Sequence, residues 1–216
     1  MAQPRIFLTY TAVELGLIYD QQAVDELRTL GRVILNPRDH HLSSQELLQE
    51  TRGCQIIISE WGTGADCEFF VKANDLVAFI RSGVEIRNVD VDAASTHGVL
   101  VVNTPGLYVV PVVELVVSFM VSLARDVINR CVMLRAGTHP PTRFGTDLRG
   151  KTLGLIGYGD IARRLALVAF HLGMRVLFAD PYVTSDDSFA ARVDIAQLLT
   201  EADFVSLHAK WTQETE

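Results

Sequence analysis

Three residues, Gly157, Tyr158 and Gly159, interrupt an apolar run at 153–156 and precede a helical pattern at 161–172. A second apolar run at 176–179 ends in Asp180, 23 residues after Gly157. These residue types at this spacing suit one chemistry, the holding of a dinucleotide. Gly157 permits a tight turn, and Gly159 lets backbone approach a pyrophosphate. The N–H groups that open the helix, at Asp160 and Ile161, present the positive end of its dipole to that group. Ala162 takes the third place of the glycine fingerprint and still allows a helix to pack closely on a strand. Asp180 accepts ribose hydroxyls. Its carboxylate would repel a 2′-phosphate and no arginine follows at 181–183, so NAD is expected rather than NADP.

Such a turn works only if strand, helix and strand hold it. Apolar runs at 5–9, 33–35, 55–59, 76–80 and 99–102 read as further strands, with helical spacing at 13–30 and after Ser44, taken as an N-cap. Alternating strands and helices imply parallel sheets covered on both faces. Residues 1–98 form a first α/β domain and 99–216 a second. A long apolar helix at about 111–135 leads into the dinucleotide unit. Phe204–Leu207 is a last strand, ending at His208, and the polar stretch 184–188 is a connection.

The 216 residues suffice for two modest domains, and with 49% hydrophobic residues disorder is not expected. A net charge of −7 with scattered arginines argues against nucleic-acid binding. Cys54, Cys67 and Cys131 have neither disulfide nor zinc spacing, so free thiols in a reducing cytoplasm and no metal are expected. The start of the chain lacks the h-region of a signal peptide. The most apolar stretch, 109–124, is shorter than the ~20 residues of a membrane span.

Four ordered segments, NVDVDAASTHGVLVVNTPG (88–106), DLRGKTLGLIGYGDIA (147–162), HLGMRVLFADPY (171–182) and ADFVSLHAKWTQET (202–215), resemble the D-isomer-specific 2-hydroxyacid dehydrogenases. The resemblance implies a flavodoxin-like substrate domain followed by an incomplete, doubly wound Rossmann domain that binds NAD. It implies hydride transfer between the cofactor and a 2-hydroxy or 2-keto acid, and a homodimer formed through helix 112–135. It assigns the cofactor to Gly157, Tyr158, Gly159, Asp160, Ile161, Asp180 and His208, with Ala209 and Lys210 where a small polar residue and proline are frequent. Lys210 either contacts cofactor or faces solvent. The substrate falls to Arg81, Gly83, Val84 and Glu85, in a turn whose amides hold a carboxylate. Glu85 puts a negative charge there. Asp160 competes with phosphate for the helix field, with Arg163 or Arg164 as compensation. The catalytic Arg, Glu and His of the resemblance fall beyond Glu216, so the chain alone is expected to be inactive. Two other readings are a cofactor-sensing or protein-binding module of the corepressor branch and an S-adenosylmethionine protein, which the segment 204–215 argues against.

Overall fold

The computed structural model describes residues 3–210. The chain divides into two compact units, with the break between Pro105 and Gly106.

In the first unit, five short strands form one all-parallel sheet: β1 (Arg5–Leu8), β2 (Arg32–Leu35), β3 (Ile56–Ser59), β4 (Ala78–Arg81) and β5 (Leu100–Asn103). Their order is β2-β1-β3-β4-β5, the flavodoxin-like order that the resemblance implies. Alternation along the strands sorts the apolar side chains onto two faces. Phe7, Ile57 and Phe79 are fully buried and pack with Leu47, Phe69 and Phe70. Ile6 and Leu8 point the other way and pack with Tyr10, Leu15 and Leu27.

The helices start where side chains satisfy free N–H groups. Helix α1 (Ala12–Ile18) has a capping box from Thr11 and Glu14, and α3 (Ser44–Glu50) has one from Ser43 and Glu46. The cap is therefore Ser43 rather than the expected Ser44, because it is Ser43 Oγ that accepts the Glu46 N–H. Asp20, Asp66 and Asp90 cap α2 (Gln21–Leu30), α4 (Cys67–Lys72) and α5 (Val91–Thr96). The stretch expected to be one helix at 13–30 is two, since Asp20 begins a new one.

The break between units falls later than the 98/99 boundary expected from sequence. β5 pairs in register with β4 from Ala78↔Leu100 to Arg81↔Asn103, which makes it part of the first sheet. The long helix expected at 111–135 is α6 (Val109–Arg125) followed by α7 (Val127–Arg135). Asp126 separates them in the left-handed region, at φ 55°, where the i→i−4 ladder cannot continue.

The second unit carries β6 (Thr152–Ile156), α8 (Asp160–His171), β7 (Arg175–Ala179), β8 (Ala191–Arg192), α9 (Ile195–Glu201) and β9 (Phe204–Leu207). Its sheet is parallel, in the order β8-β7-β6-β9. Numbered from its own first strand this is 3-2-1-4, the opening of the doubly wound dinucleotide sheet. Ala162, Leu165, Ala166 and Ala169 seat α8 in the core, and Val113, Val116, Val117 and Met120 of α6 join the same cluster. Gly154, inside β6, lets α9 approach: a Cβ there would lie 2.5 Å from a Leu198 methyl carbon and 3.0 Å from the Ala202 Cβ. The short β8 was not legible, because two exposed residues carry no alternation to read.

Candidate functional site

The strand order of the second sheet reverses at β6: the chain runs outward through β7 and β8, then crosses back to place β9 on the other side. Ligands of open α/β sheets bind at such a point, beyond the C-terminal strand ends. A cleft of about 740 Å³ lies there, walled by residues 156–159, 179–182, 192–195 and 208–210.

Gly157 has φ 85°, which side chains rarely adopt, and a Cβ on it would come within 2.6 Å of the Ala209 nitrogen. The loop leaving β9 crosses directly against it. Gly159 caps α8, and its missing Cβ would meet nothing within 4 Å, so open space lies before the helix. The first-turn N–H groups of a helix have no acceptor within it. Asp160, exposed at the first position of α8, and Ile161, packed against the core, do not line the cleft.

Asp180 closes the turn. Its Oδ2 accepts the Tyr158 N–H at 2.7 Å, and its Oδ1 accepts the N–H groups of Tyr182 at 2.8 Å and Val183 at 3.1 Å. Burial works to raise its pKa, but these three N–H groups outweigh it and hold the carboxyl below its ordinary range. A carboxylate has about four lone-pair positions, so one remains for a ribose hydroxyl. The open space at Gly159, the anionic Asp180 and the free helix terminus fit an NAD molecule.

The other expected cofactor residues divide. Tyr158 lines the cleft, but its ring is 1% exposed and stacks on Phe178 with centroids 3.8 Å apart, and its N–H is taken by Asp180. His208, Ala209 and Lys210 line the cleft. Ser206 Oγ lies 2.9 Å from His208 Nε2, and burial pushes the imidazole pKa down, leaving the ring neutral at pH 7. Arg163 and Arg164 do not line the cleft. Sequence reasoning missed the wall formed by Arg192, Val193, Asp194 and Ile195. Asp194 was its available signal, because it caps α9 by accepting the Gln197 N–H at 2.8 Å.

The substrate residues expected from the resemblance lie in the first unit, around the β4–α5 loop. Arg81 is fully buried, so its expected contact with a substrate is corrected to a structural one. Its guanidinium donates to Ser59 Oγ, the Thr63 carbonyl and Asn88 Oδ1, the last at 2.7 Å. Asn88 in turn donates to the Trp61 carbonyl at 2.9 Å, so the β3–α4 and β4–α5 loops are tied together. Gly83 accepts the Thr104 N–H, and Val84 accepts from the Asn103 amide at 3.1 Å. Glu85 folds back on its own loop: it accepts the Arg87 N–H at 2.9 Å and pairs with the guanidinium at 2.8 Å. Burial alone would raise its pKa, but Arg87 holds it low, so the charge is matched locally.

His41 shares the C-terminal edge of the first sheet. Its Nε2 lies 2.6 Å from Glu14 Oε1 and 3.8 Å from Glu60 Oε2, and its ring packs edge-on to Trp61 and against Gly62. Glu60, 3% exposed, accepts from Thr9 Oγ1 and from the N–H groups of Gly62 and Thr63. Among the described residues no group of His, Cys, Asp and Glu could hold a metal ion, and no helix is long and apolar enough to cross a membrane.

Residues 117–216 match the family model of the D-isomer specific 2-hydroxyacid dehydrogenase NAD binding domain. The chain is 34% identical to a D-3-phosphoglycerate dehydrogenase of Methanocaldococcus jannaschii, over 81% of this chain and 34% of that one. It is 32% identical to a hydroxypyruvate reductase of Thermotoga maritima, over 91% of this chain and 64% of that one. A solved structure of a Thermus thermophilus protein superposes with a TM-score of 0.85 at 31% identity, covering 98% of this chain and 66% of that one. The chain thus spans 34% and 64% of the lengths of these two relatives.

The His41–Glu14 pair sets a pH window for the stability of the first unit. The hydrogen bond to Glu14 raises the His41 pKa, against burial and with help from Glu60, while His40 nearby opposes it. Burial raises and the hydrogen bonds from His41 and Thr11 more strongly lower that of Glu14. The histidine contribution is complete below the unfolded value of about 6.5 and fades as pH rises through the raised folded value. The glutamate contribution is present above about 4.3 and fades as pH falls through the depressed value. Glu14→Gln is expected to cost about 0.5–1 kcal/mol in urea unfolding between about pH 5 and 6.5, and less above about pH 8. An equal loss at both ends of that range would contradict the pairing.

Proposed function

The chain belongs to the D-isomer-specific 2-hydroxyacid dehydrogenase family, and on that footing we propose that it supplies the NAD site and the substrate-carboxylate loop of an NAD-dependent oxidoreductase acting on 2-hydroxy or 2-keto acids. The observation that carries the reading is the bond from the Tyr158 N–H to Asp180, which fixes a glycine turn and a ribose acceptor as one unit. When bound, the nicotinamide supplies or accepts the hydride. The turn and the first turn of α8 orient the pyrophosphate. Asp180 orients the ribose. The Gly83 N–H is taken by the Arg81 carbonyl, so the N–H groups of Val84 and Glu85 are the ones offered to a carboxylate, with the Glu85 side chain paired to Arg87.

Hydride transfer to a carbonyl also needs a proton donor. His208 is the one imidazole lining the cleft among the described residues, and its ring is neutral and turned to Ser206. We therefore place the proton donor outside residues 3–210, and take these residues by themselves to bind cofactor without turnover. Glu85, a carboxylate in the loop assigned to a substrate carboxylate, favours as a second reading a module that binds NAD(H) and catalyses nothing.

The partner proposed for the chain is a second copy of itself. Helix α6 is apolar on two sides. Val113, Val116, Val117 and Met120 pack with α8, whereas Leu115, Phe119 and Leu123, spaced four apart, are exposed. Ile128 and Val132 continue the exposed face on α7. Covering it in a homodimer would bury these side chains.

Two outcomes are expected. The 216-residue chain should bind NADH and leave it unoxidised when glyoxylate or hydroxypyruvate, the substrates in its relatives' names, is added. Oxidation of NADH by the chain with either acid would contradict the placing of the proton donor outside residues 3–210. In sedimentation equilibrium the chain should be dimeric and Phe119→Asp monomeric, since one buried charge outweighs the burial of a phenyl ring. A monomeric wild-type chain would contradict the dimer.

A further inference from the structure

The middle residue of the glycine turn is held in a way that cofactor binding alone does not require. The Tyr158 ring lies between two groups. On one side the Phe178 ring stacks on it, 3.8 Å between centroids with the planes 15° apart. The Arg163 guanidinium lies 4.8 Å from the same ring's centroid. Arg163 is held in turn by Asp187, Nη1 to Oδ2 at 3.1 Å. Asp187 belongs to the β7–β8 connection and is itself fixed by reciprocal backbone bonds with Ala190. The Tyr158 hydroxyl is buried and makes no well-formed hydrogen bond. Burial first, and the nearby Asp187 carboxylate second, push its pKa up to about 12. The ring faces, more than the hydroxyl, therefore position this side chain. Neither Arg163 nor Asp187 lines the cleft.

We propose that Arg163, held by Asp187, is a positioning residue for the dinucleotide: by clamping the Tyr158 ring it fixes the turn that leads into α8, whose first N–H groups have no acceptor within the helix. The Tyr158 peptide is anchored at both ends, through its ring to Phe178 and Arg163 and through its N–H to Asp180. Rotation of that peptide would displace Gly159 and the acceptor oxygen of Asp180 together. The connection at 184–188, which reads in sequence as a spacer, becomes one jaw of the clamp. Arg163 is thus committed to the turn and is not available to offset Asp160. Arg164 is exposed and lies outside the cleft.

The proposal rests on the cofactor reading of the cleft, and titration calorimetry of the full chain with NADH tests both. Arg163→Met should weaken NADH binding by about threefold to tenfold, the range of a partly desolvated cation–π contact with its ion pair. Arg163→Lys, which keeps a cation over the ring, should recover part of that loss. Arg164→Met removes the same charge at the next position and should leave the affinity unchanged. Hydrogen exchange should speed up at 157–161 in Arg163→Met while the first-unit strands exchange as before, which a general loss of stability would not produce. Asp187→Asn releases the guanidinium from the other side and carries the same expectation should Arg163→Met not fold. Wild-type affinity and exchange in both Arg163→Met and Asp187→Asn would overturn the proposal and leave the cofactor reading standing. A wild-type chain that binds no NADH would overturn both.

Discussion

Backbone meets backbone where β6 ends. At Gly157, with φ 85°, even a methyl group would collide with the Ala209 nitrogen and Cα and with the His208 carbonyl carbon. That contact exists because β9 returns beside β6 after the chain has run outward through β7 and β8. The crossing opens the crevice, and the glycine allows its two walls to meet at the base. Everything else at the site is arranged around this point. Asp180 ends the neighbouring strand and accepts the Tyr158 N–H across the turn. Gly159 starts α8 with space before it. Any residue other than glycine at 157 would have to displace the β9 exit loop, and with it one wall of the cleft.

Both units place charge at the C-terminal edge of a parallel sheet and satisfy it with local partners. In the second unit Asp180 is held by three backbone N–H groups, which keep it ionised with acceptor capacity to spare. In the first, the fully buried Arg81 uses its guanidinium to join two loops, and burial pulls its pKa down while Glu60 works against that shift. Glu85 and Arg87 pair within one loop. A buried polar group left without partners costs more than a satisfied one contributes, and these networks follow from that asymmetry.

The sequence was most informative where a residue type has one physical use. The glycine turn, the acid after the second strand and the apolar runs at 55–59 and 99–102 announced both sheets, because parallel strands buried on both faces need such runs. It was less informative where tertiary contacts decide. Nothing local distinguishes β5 as the last strand of one sheet from the first strand of another, and only its register with β4 settles it. Asp126 looks like any surface acid in a helical pattern until its positive φ breaks the helix. Arg81 beside a substrate loop reads as a ligand, yet Ser59, Thr63 and Asn88 surround its head group. The Arg163 clamp was equally hidden, since its partners come from the turn, from β7 and from the β7–β8 connection. The final segment of the resemblance lies partly outside the described residues, from 211 onward.

A turn closed by Asp180, taking a dinucleotide with a free 2′-hydroxyl, is the centre of the proposed function. The most direct measurement is a calorimetric titration of the chain with NADH and, separately, with NADPH. A carboxylate with one acceptor position left bonds a hydroxyl and repels a 2′-phosphate, so NADH should saturate one site per chain and NADPH should bind at least about tenfold more weakly. Equal binding of the two, or no saturable binding of NADH, would contradict it.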